Sequence, residues 1–78
     1  MDILTLTRRY SSHSIFSHSD LIFTMLKDLR LIHYWNKTIL SASTLKTPIE
    51  KAFVLFGAVI DEPDDLLIIE TYLRDFNG

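Results

Sequence analysis

Two helix starts in the last third of this 78-residue chain constrain its fold more than any other feature. Thr47-Pro48-Ile49-Glu50 opens one apolar segment, and Asp61-Glu62-Pro63-Asp64-Asp65 closes it and opens the next. In each, an oxygen-bearing side chain can accept from the orphan N–H groups of a first turn. A proline needs no donor there, and an acid meets the positive end of the helix dipole. The pair predicts a helical hairpin, and the hairpin makes a small all-α domain the fold to expect.

Between the two starts, residues 52–60 are apolar on every side, which suits a central element covered by its neighbours. A buried strand is the rival reading, because Phe, Val and Ile favour strands and Gly57 disfavours a helix by ~1 kcal/mol relative to Ala. The Thr-Pro-x-Glu start favours helix. The next helix is expected over 63–76, with Leu66, Ile69, Leu73 and Phe76 on its inner face, Leu67, Ile68 and Tyr72 widening that face, and a Glu70–Arg74 pair outside.

Upstream, Ile22, Met25, Leu26, Leu29 and Ile32 recur at helical spacing and predict a long first helix with a serine cap. Residues 36–46 are rich in serine and threonine and are expected to be a connector, with Ile39, Leu40 and Leu45 turned inward. Residues 1–16 are expected to be an irregular N-terminal arm ahead of a single helical domain at 17–78. Leu4 and Leu6 alternate with Thr5 and Thr7, which is also a short strand pattern. The expectation is therefore three principal helices and an arm with an optional N-terminal strand.

Composition narrows the functional classes. The chain has no cysteine, so disulfide frameworks, thiolate metal sites and cysteine nucleophiles are excluded. No apolar run approaches the ~20 residues of a membrane span, and the N-terminus lacks a basic region followed by an apolar stretch. A cytoplasmic protein with no membrane contact is the expectation. Hydrophobic content of 47% in so short a chain leaves more apolar surface than one small core can hide, which implies a homodimer or a waiting partner.

Charge is unevenly placed. Residues 1–60 carry seven basic against four acidic side chains, and residues 61–78 carry six acidic against Arg74 alone. Acids at a helix start account for part of this. The remainder offers an acidic patch to a protein partner.

Chemistry-bearing clusters are sparse. His13, His18 and His33 lack metal-ligand spacing, and no metal or other cofactor is expected. Ser17-His18-Ser19-Asp20 holds the residue types of a hydrolase triad, but contiguous residues seldom form one, and helix capping accounts for them. Asp61, Glu62, Asp64 and Asp65 lack the ligand alternation and glycine of a calcium loop. No catalytic residues are expected.

The reading is a non-catalytic regulator, inhibitor or adaptor that binds another protein and self-associates. Phe23, Leu31, Tyr34 and Trp35, left over from the first helix's inner stripe, are the expected apolar anchors, and Asp61, Glu62, Asp64 and Asp65 the expected acidic patch. The alternative is a nucleic-acid-binding regulator using Arg8, Arg9, Lys27 and Arg30, set against the phosphate repulsion of an acidic last helix.

Overall fold

A computed structural model of the chain describes residues 2–41 and 47–76, and the side chains of residues 39–41 are not part of that description. It is all-α. The described residues form α1 (Ile3–Tyr10), α2 (Ser19–Asp28), α3 (Trp35–Ser41), α4 (Pro48–Val59) and α5 (Pro63–Asp75). Short 3-10 turns at Ser14–Ser17 and Ile32–Tyr34 join them. The three expected helices are thus five, and residues 52–59 are helix, not strand.

The largest correction is at the N-terminus. Neither a strand nor an irregular arm is present at residues 3–10. They form a helix capped by Asp2, whose Oδ1 accepts from the Thr5 amide at 2.7 Å. That contact holds the Asp2 carboxyl below its usual range. Ile3, Leu6, Thr7 and Tyr10 stand at helical spacing, and the last three are buried. The Leu-Thr alternation suggested period two, but Asp2 and the run through Tyr10 carry period 3.6. Ile15 and Phe16 follow into the same core.

The expected long first helix is also broken. Arg30 adopts φ 61°, in the left-handed region, and ends α2. The Leu31 amide donates to the Leu26 carbonyl at 2.8 Å and the Arg30 amide to that of Lys27 at 3.1 Å, a Schellman closure with two buried leucines at its ends. Glycine usually occupies such a position, and its absence here hid the stop. After the Ile32–Tyr34 turn the chain re-enters helix, so residues expected as connector belong to α3. Leu45 lies outside the described residues.

α4 is the hub. It packs against α1, α3, α5 and both 3-10 turns, and Ala52, Leu55, Phe56 and Val59 are fully buried. Tyr10 and Phe16 bring their rings to 5.8 and 6.1 Å from that of Phe56. The expected capping box forms: the Glu50 amide donates to Thr47 Oγ1, and the Thr47 amide donates to Glu50 Oε1. α5 differs. Pro63 opens it, but Glu62 makes no side-chain cap bond.

Candidate functional site

The five helices hide less apolar surface than the sequence carries, and what remains gathers on two faces. The first lies between α2 and α5. Only Ile69 and Leu73 of α5 are buried in the core, so the outer flank of the helix is left with Leu67, Ile68, Tyr72 and Phe76. With Leu29, which caps the end of α2, and with Thr71 and Asp75, these line an open groove of about 600 Å³. Tyr72 and Phe76 stack nearly parallel, 5.6 Å between centroids, and continue into a second trough of about 360 Å³ with Ile15, Leu21 and Thr24. His13 secures the end of this groove. Its Nδ1 accepts from the Ile15 amide at 3.1 Å while Nε2 lies 2.7 Å from the Phe76 carbonyl, to which it donates.

The second face follows from α4 being apolar all round. Its neighbours cover most of the helix but leave Ile49, Phe53 and Gly57, one turn apart from each other, facing outward. Leu4 of α1 extends this stripe, and Phe53 is 46% exposed at its centre. Asp2, Glu50 and Lys37 border it, so both signs of charge are present.

The expected anchors divide. Phe23 is 38% exposed and meets the half-buried Trp35 edge-on at 5.1 Å, so these two do form a small surface pair. Leu31 and Tyr34 do not join them. They are 6% and 3% exposed and belong to the core, because the chain reversal at Arg30 turns them inward. Tyr34 donates its hydroxyl to Asp65 at 2.5 Å. Burial pushes the phenol up to about 12, helped by the bond and charge of Asp65. Asp65 therefore ties α5 to the Ile32–Tyr34 turn, whereas Asp61, Glu62 and Asp64 are exposed.

The basic set comes from two elements. Arg8 and Arg9 lie on α1, and Lys27 and Arg30 at the end of α2; all four are exposed. Arg9 is 3.7 Å from Glu70, which also accepts from the Tyr10 hydroxyl at 3.1 Å. Glu70 thus links α5 to α1, a different partner from the expected Arg74.

Among the described residues no buried side-chain polar atom lacks a hydrogen-bond partner, and no group of three or more His, Asp or Glu is placed to hold a metal ion. No helix among them is long and apolar enough to cross a membrane. Periodicity expects Phe76 on the inner face of the last helix and Leu67, Ile68 and Tyr72 widening that face, but Leu67, Ile68 and Phe76 are exposed and Tyr72 is half-buried. Their outward placement depends on which flank α4 covers, which periodicity alone does not say. No protein-family model, curated protein or solved structure matches this chain.

Proposed function

We propose that this chain is a small non-catalytic regulator or adaptor that works by occupying the surface of another protein, in a cytoplasmic setting. The observation that supports this most is the grouping of its exposed large hydrophobic side chains into two coherent faces, with Leu67 57% exposed on one and Phe53 on the other. Isolated exposed leucines need no explanation, but contiguous apolar faces on so small a domain suit interfaces. The partner-facing residues of the proposal are revised accordingly: Leu67, Ile68, Tyr72 and Phe76 take the anchor role, Phe23 and Trp35 keep theirs, and Asp61, Glu62 and Asp64 supply acidic orientation.

Self-association belongs to the same proposal and is assigned to the α1/α4 face. Charges of both signs border Leu4, Ile49 and Phe53, so a two-fold pairing of this face can match opposite charges across it. The nucleic-acid reading, through Arg8, Arg9, Lys27 and Arg30, is weakened by the engagement of Arg9 with Glu70.

Capture of partners from native lysate by the tagged chain, with and without nuclease, tests the proposal. One protein retained at near-equal amount through nuclease treatment supports it. Capture that vanishes with nuclease, and with Arg8→Ala and Arg9→Ala together, transfers the function to nucleic acid. Sedimentation of the purified chain and of Phe53→Asp tests the dimer, and a wild-type chain that is monomeric at high concentration removes it.

A further inference from the structure

We draw no further inference here: the strongest candidate, the open apolar groove between α2 and α5 lined by Leu29, Ile68, Tyr72 and Phe76, has exposed Lys27, Arg30 and Arg74 set against exposed Asp28, Asp64 and Asp75 on or beside its two helices, and nothing in the structure shows what covers it.

Discussion

Arg30 carries the clearest local strain in the described backbone. It is the one non-glycine residue there with positive φ, in a conformation that costs an L-residue roughly 1–2 kcal/mol. Its side chain is exposed, so little packing offsets that cost. Arg30→Gly is expected to raise stability by up to about 1 kcal/mol, the relief of strain being partly cancelled by the greater freedom of glycine in the unfolded chain. Thermal unfolding of the two proteins checks this. A lower midpoint for the glycine variant would mean that the arginine stem contributes packing that the exposure conceals.

Tyr34 makes a prediction of a different kind. A phenol that is neutral in the fold and raised from about 10 to about 12 adds stability at all pH values below 10. In that range both folded and unfolded chains hold the proton. Between the two values the unfolded chain releases it first, so stability falls as pH rises. Urea unfolding from pH 9 to 12 should show this decline in the wild type, and Tyr34→Phe should lack that component while being less stable at neutral pH by about 1–3 kcal/mol, the worth of a hydrogen bond to a carboxylate. Parallel alkaline curves for the two proteins would place the decline elsewhere.

Among the elements, α4 holds the fold together because it alone reaches α1, α3, α5 and both 3-10 turns. Phe56 sits at its centre, fully buried between the rings of Tyr10 and Phe16. Phe56→Ala is expected to cost ~3–5 kcal/mol, from lost burial and the cavity left behind. For a domain of this size that approaches the whole stability. Denaturant unfolding measures it, and a loss below about 1 kcal/mol would demote α4 from its central place. The capping box at Thr47 and the apolar run behind it made α4 legible beforehand, since both are local in the chain. α1 was equally legible in Asp2, Leu6 and Tyr10, but eight residues with two alternating leucines also satisfy a strand pattern. The end of α2 was not, because Arg30 occupies a site where only glycine would have announced the stop.

At the scale of the whole molecule, what matters is the difference between what the core hides and what the chain carries. Core and surface residues are interleaved within α5 itself: Ile69 and Leu73 are buried while Leu67 and Ile68, which directly precede Ile69, are exposed. Both kinds are aliphatic and helix-compatible, so composition does not separate them. The same holds on α4, where Phe56 and Phe53 differ only in which neighbour covers them. The anchors expected on the first helix exchanged places with residues expected in the core for this reason. Leu31 and Tyr34 went in after the reversal at Arg30, and Leu67, Ile68 and Phe76 stayed out.

The helical class, the starts of α4 and α5, the apolar character of the hub and the acidity of the last helix were all determined by the sequence, because caps, prolines and periodicity act over a few neighbouring residues. Only the tertiary structure decided that α1 belongs to the core, that α2 stops at Arg30, and that two apolar faces remain uncovered among the described residues. Those outcomes depend on which helix lies against which flank. That is a competition among contacts distant in the chain, and no local pattern records its winner.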